Sequence, residues 1–76
     1  MNPIYEWLNK EKERFYKIKI EQSKNNINLK YSWGSTKSNR GGKKQITVNN
    51  EQEVNKTINQ MIIRRKRRGY QLIAPY

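Results

Sequence analysis

Two runs in the first half of this chain alternate apolar and polar residues with a period of two, and they leave few folds open. Tyr16, Ile18 and Ile20 alternate with Phe15, Lys17 and Lys19; after a polar turn from Ser23 to Asn26, Ile27, Leu29, Tyr31 and Trp33 alternate with Asn28, Lys30 and Ser32. A period of two places each set on its own face of a pleated strand. The two runs are therefore expected to pair as an antiparallel hairpin with one buried face.

Other elements arrange themselves around this hairpin. Lys43 to Val48 alternates Ile46 and Val48 against Gln45 and Thr47, which predicts a third, shorter strand. Ser35 to Gly42, in between, holds only loop formers and cations and is expected to protrude as a flexible finger; Gly41-Gly42 lacks the spacing of a phosphate-binding fingerprint and permits the turn into the third strand. Asn50 and Glu53 have the spacing of a capping box, and Val54, Ile58, Met61, Ile62 and Arg65 then follow on one helical face, predicting a helix over 51–67. Gly69 fits the left-handed cap beyond it, with a short last strand over 70–74. At the other end Asn2 reads as an N-cap and Pro3 as the first helical residue, with Ile4, Trp7, Leu8 and Glu11 at helical spacing. This predicts a short helix over residues 3–12, docked on the rest of the domain or on a protein partner. The expected fold class is α+β: a small antiparallel sheet of three to four strands, one long C-terminal helix packed across it, and a short N-terminal helix. Residues 1–13 read as a helical extension and 14–76 as the domain.

Composition narrows the function. A chain of 76 residues with 33% hydrophobic content can bury only a modest core, while 17 Lys and Arg against 6 acids give a net charge of +11. Residues 24–50 contain no acid at all. An acidic polymer is the expected partner. With no Cys and no His, disulfides, thiol chemistry, zinc fingers and histidine-based catalysis are excluded, and neither a metal nor a cofactor is expected. No apolar run has the length of a membrane span, and Met1 to Lys10 lacks the order of a signal peptide, so a cytoplasmic location is expected. No helix sets Lys and Arg opposite a broad apolar face free for lipid, which argues against a membrane surface.

Three places concentrate the binding chemistry. Trp33 completes the apolar face of the second strand, yet Gly34 and the cationic loop beyond place it at the sheet rim, where it can pack on one side and present the other. Lys37, Arg40, Lys43 and Lys44 lie in or beside that loop with no acid nearby in sequence, and read as phosphate contacts. The run Arg64 to Arg68 complements the helix macrodipole, but five consecutive cations surround the whole helix and invite a counter-ion; the same run also has the look of a nuclear localisation signal. Of these, Arg65 falls on the apolar stripe and must snorkel or find an acceptor. Glu51 and Glu53 are accounted for by their place in the first helical turn.

Tyr31-Ser32-Trp33-Gly34-Ser35, the glycine-containing basic loop, a strand ending Ile46-Thr47-Val48, the capped start at 50–53 and the basic helix end before Gly69-Tyr70 together resemble a WGR domain, over about residues 14–73. That family, named for a Trp-Gly-Arg motif, accompanies DNA-dependent poly(ADP-ribose) polymerases and occurs as small bacterial domains. The resemblance implies a binding module without catalysis, in which the motif tryptophan packs on a sugar at a DNA end or break and the arginine contacts the backbone nearby. Trp33 and Gly34 match the motif; Ser35 stands where the family has arginine, and Lys37 near a usual second glycine. The expected nucleic-acid contacts are Trp33, Gly34, Ser35, Lys37, Arg40, Lys43, Lys44, Arg64, Arg67 and Arg68. Duplex DNA, ends and junctions included, is the first ligand. RNA binding, or an adaptor or inhibitor using the basic face against an acidic protein, are the alternatives, with no small-molecule substrate.

Overall fold

The computed structural model describes residues 3–75, so the N-cap assigned to Asn2 lies outside it. The chain runs β1 (Ile4–Asn9), β2 (Arg14–Gln22), β3 (Ile27–Ser35), β4 (Gly41–Val48), α1 (Glu51–Arg67) and β5 (Gln71–Ala74). All five strands form one antiparallel sheet in the order β4-β3-β2-β1-β5. The hairpin of the two alternating runs forms as expected, with Tyr16 opposite Trp33, Ile18 opposite Tyr31 and Ile20 opposite Leu29.

The helix expected over residues 3–12 is instead β1, and the sheet has five strands rather than three or four. Ile4, Trp7 and Leu8 fit helical spacing, but Tyr5, Trp7 and Asn9 share one face of the strand, opposite Ile18, Tyr16 and Arg14. Trp7 is buried completely, at 1% exposure. Tertiary burial overrides the local pattern: β2 has a second edge to pair, and a strand of aromatic and β-branched residues fills it. What conceals the alternation is the polar residue Asn9, which is buried.

One face of the sheet carries the core. Trp7, Ile18, Ile20, Ile27, Leu29, Tyr31 and Val48 cluster with Val54, Ile58 and Met61, the helix stripe read from the sequence. Asn50 caps α1 as the capping-box spacing requires, its Oδ1 accepting from the Glu53 N–H at 2.9 Å. At the far end Gly69 adopts φ +86°, and the Arg65 carbonyl accepts from the N–H of Tyr70 at 2.9 Å while the Lys66 carbonyl accepts from Gly69 at 3.1 Å. This is a Schellman closure, which only a residue at ease with positive φ completes without strain.

Asn9 ties the two ends of the chain together. Its Nδ2 donates to the Arg68 carbonyl at 3.2 Å and its Oδ1 accepts from the Lys12 N–H at 3.0 Å. One buried amide thus satisfies both the helix end and the turn after β1. Asn9→Ala is expected to lower the unfolding free energy by about 1–2 kcal/mol, because it removes both bonds of the buried amide and leaves the helix-end carbonyl of Arg68 and the Lys12 N–H without that partner. Urea denaturation of both proteins measures the difference.

Candidate nucleic-acid interface

At the end of the sheet where α1 terminates, the core face continues into an open groove. Trp33 forms its margin: the indole is stacked on Tyr16, with centroids 6.0 Å apart and 15° between planes. On the other side it lies over Gly42, its cross-strand partner, where an added Cβ would come within 2.6 Å of indole Cζ2. The glycine after the tryptophan has a steric role. Gly34 and Gly41 face each other across β3 and β4, and a Cβ on Gly34 would strike the Arg40 carbonyl while one on Gly41 would strike the Trp33 carbonyl. Both glycines therefore sit inside strands, which leaves only Thr36 to Arg40 as loop.

That loop is not a free finger. The Thr36 N–H and hydroxyl both donate to the Glu13 carbonyl, at 2.8 and 3.2 Å, and Lys37 Nζ lies 2.8 Å from the Glu13 carboxylate. The acid that the local sequence lacks comes from the turn between β1 and β2, where Glu13 takes φ 55°.

Arg65 supplies the floor. Its position on the buried stripe leaves it 9% exposed, with the guanidinium carbon 4.5 Å from the centre of the Tyr16 ring and 5.3 Å from that of Tyr70. Two aromatic faces hold the cation, in place of the snorkelling or acceptor expected of it. Its Nε is buried with no hydrogen-bond partner among the described residues.

The groove has a volume of about 960 Å³, and the charged side chains around it are Lys12, Arg14, Arg40, Lys44, Arg65 and Arg68, with no acid among the lining residues. Trp33, Gly34, Ser35, Arg40, Lys44 and Arg68 of the expected contacts meet there. Lys37 lies outside the lining, engaged with Glu13. Lys43 pairs with Ser32 on the opposite sheet face, while Arg64 and Arg67 line a separate hollow with Gln60 and Ile63. Lys44 is held by Tyr31, its Nζ 4.7 Å from the ring centre.

Comparison with protein-family models finds the WGR domain over residues 5–75, nearly the whole chain. The chain belongs to the WGR family. No match is found among curated proteins or solved structures. WGR domains are nucleic-acid-binding modules rather than catalytic domains. Among the described residues no helix is long and apolar enough to cross a membrane.

Within this WGR domain the third motif position is occupied by Ser35, and its hydroxyl does local work: it accepts from the Lys37 N–H at 3.1 Å and shapes the loop. The cation nearest in register to that position is Arg14, directly opposite Ser35 on β2 and on the same sheet face. Sequence reasoning overlooked Arg14 and Lys12 because they lie in the nearly neutral first third of the chain. Tyr16 and Tyr70 were overlooked because a tyrosine on a core face reads as packing. The signal that could have found Arg14 is register: once Tyr16 is paired with Trp33, Arg14 must face residue 35.

Burial pushes the hydroxyls of Tyr16 and Tyr31 above the ordinary tyrosine value, with Arg65 and Arg64 opposing this at Tyr16 and Tyr16 itself reinforcing it at Tyr31. A raised folded-state value means stability is full below the unfolded value of about 10 and is lost as pH rises through the folded one. Phenolate absorbance is expected to show two late-titrating tyrosines, one removed by Tyr16→Phe and the other by Tyr31→Phe. Gly42→Ala is expected to displace the indole and cost about 1–3 kcal/mol, read by thermal unfolding and by a change in tryptophan emission.

Proposed function

We propose that this WGR domain binds duplex DNA along the groove, with Trp33 packing on a sugar or base at an end, nick or junction and the surrounding cations neutralising phosphates. The observation that carries this reading is the lining itself: among the described residues, a half-buried tryptophan beside six cations and no acid. An aromatic face supplies stacking that tolerates any sequence, and the cations supply a counter-ion field for a backbone. Arg14, Arg40, Lys44 and Arg68 are the proposed phosphate contacts in the groove, with Arg14 providing the charge that Ser35 does not. Arg64, Arg67, Lys37 and Lys43 lie away from it and contribute to the long-range field that draws a polyanion in.

If about six phosphates are neutralised, log K falls against log salt with a slope of roughly −5. A slope near zero sinks the phosphate reading. In equilibrium binding to open-ended and circular duplexes of one sequence, Trp33→Ala is expected to lose about 1–3 kcal/mol on the open form only. Equal loss on both would retire end recognition while leaving duplex binding intact. Circular dichroism of the variant separates lost contact from lost fold.

A further inference from the structure

We infer that Arg65 is the fixed anion receptor of the groove, its guanidinium completed by a phosphate of the bound strand; this rests on the nucleic-acid reading above and assigns its central contact. Three observations converge on it. The first is burial without a partner: Arg65 is nine-tenths buried, and among the described residues no carboxylate lies within ion-pair distance of it and its Nε has no hydrogen bond. A guanidinium presents five donors, and ring faces satisfy its charge in part but accept few of its hydrogens. The second is direction, since the same side chain lines the groove. The third is preorganisation. Its backbone carbonyl closes the helix cap by accepting from both Arg68 and Tyr70, so the backbone that carries Tyr70 onto the guanidinium is anchored by Arg65 itself.

Charge decides the sign of the missing partner. The other cations around the groove surround Arg65 with like charge, and no acid among the described residues lines the space. Such a site gains nothing from a neutral ligand and much from an anion with several acceptor oxygens. Tyr16 touches both Arg65 and Trp33, which sets the guanidinium one ring away from the indole. A strand whose sugar rests on Trp33 brings a neighbouring phosphate to Arg65. The exposed cations at the rim attract the polymer loosely; Arg65, held between two rings, fixes where one phosphate sits.

The test uses the full chain. Arg65→Met keeps the volume on an apolar stripe, and Lys56→Met on the exposed side of α1 removes one charge elsewhere as the control. Arg65→Met is expected to weaken duplex binding about tenfold to a hundredfold and to reduce the salt slope by about one, with Lys56→Met close to wild type. An unchanged affinity and slope in folded Arg65→Met overturns the inference. Where that variant does not fold, the Nε–H resonance of Arg65 in the ¹⁵N spectrum of the wild type decides, assigned with Arg65→Lys. It is expected to shift on adding duplex and, separately, inorganic pyrophosphate. A shift with pyrophosphate but no duplex binding supports the receptor and retires the nucleic-acid reading. Duplex binding that leaves the resonance in place overturns the receptor and keeps the reading.

Discussion

The ring of Tyr16 is the contact on which both the core and the groove depend. It meets Trp7 edge-on at 6.2 Å, Tyr31 edge-on at 6.3 Å, Trp33 in a stacked arrangement at 6.0 Å and the Arg65 guanidinium at 4.5 Å. Three of these partners sit on adjacent strands and the fourth on the helix, so one side chain joins the sheet to α1 at the point where the core opens. Aromatic pairs of this kind add to the burial of their area and fix relative orientation. For a small domain with a modest core, the consequence is that the site has no scaffold separate from itself. The surface offered to a ligand is the rim of the packing that holds the protein folded.

Charge is sorted by the fold rather than merely abundant. On the sheet face opposite α1, Glu21 reaches Lys30 at 2.9 Å and Lys19 at 3.3 Å, and Glu6 lies 3.7 Å from Lys17. Hydrogen bonds from Lys30 and then Lys19 hold the Glu21 carboxyl below the usual carboxylate range. Glu51 and Glu53 occupy the first turn of α1, at the end away from the groove, where they complement its dipole. Glu13 is engaged by Lys37. Five of the six acids are thus spent on the open face, the helix start and the contact with the loop, and Glu11 lies exposed in the turn between β1 and β2. Surface pairs of this type stabilise little, but their placement leaves the cations at the helix end unopposed.

Periodicity made most of this fold legible. Strands β2 to β4 and the stripe of α1 follow from strict alternation and from apolar residues every third or fourth position, and the two caps follow from Asn50 and Gly69. The first strand was not legible, because Asn9 interrupts its buried face and Ile4, Trp7 and Leu8 imitate a helical face in a segment too short to contradict it. Only the helix end and the turn that Asn9 satisfies explain its burial, and both are contacts with residues elsewhere in the fold. The same limit applied to the groove. Trp33, Arg40, Lys44 and Arg68 were readable from local chemistry, whereas Arg14, Tyr16 and Tyr70 acquire their place only through pairing and capping. Glu13 removes Lys37 from the groove lining through a contact between two loops that no local pattern encodes.

The buried amide of Asn9 has a dynamic consequence. Strand β5 pairs with β1, and Asn9 joins β1 to the helix end, so the first and last described strands close on each other at one sheet edge. A four-residue edge strand near the end of the chain, with no fully buried side chain, belongs to the low-stability segments that open first in local unfolding. Arg68 and Tyr70, which line the groove, lead directly into that strand. A ligand bridging Arg68 and Tyr70 to Trp33 would hold the start of β5 against the rest of the sheet. Occupancy would then register as slower amide exchange in β5, three strands away from the motif tryptophan, making the edge of the sheet a reporter of the state of the groove.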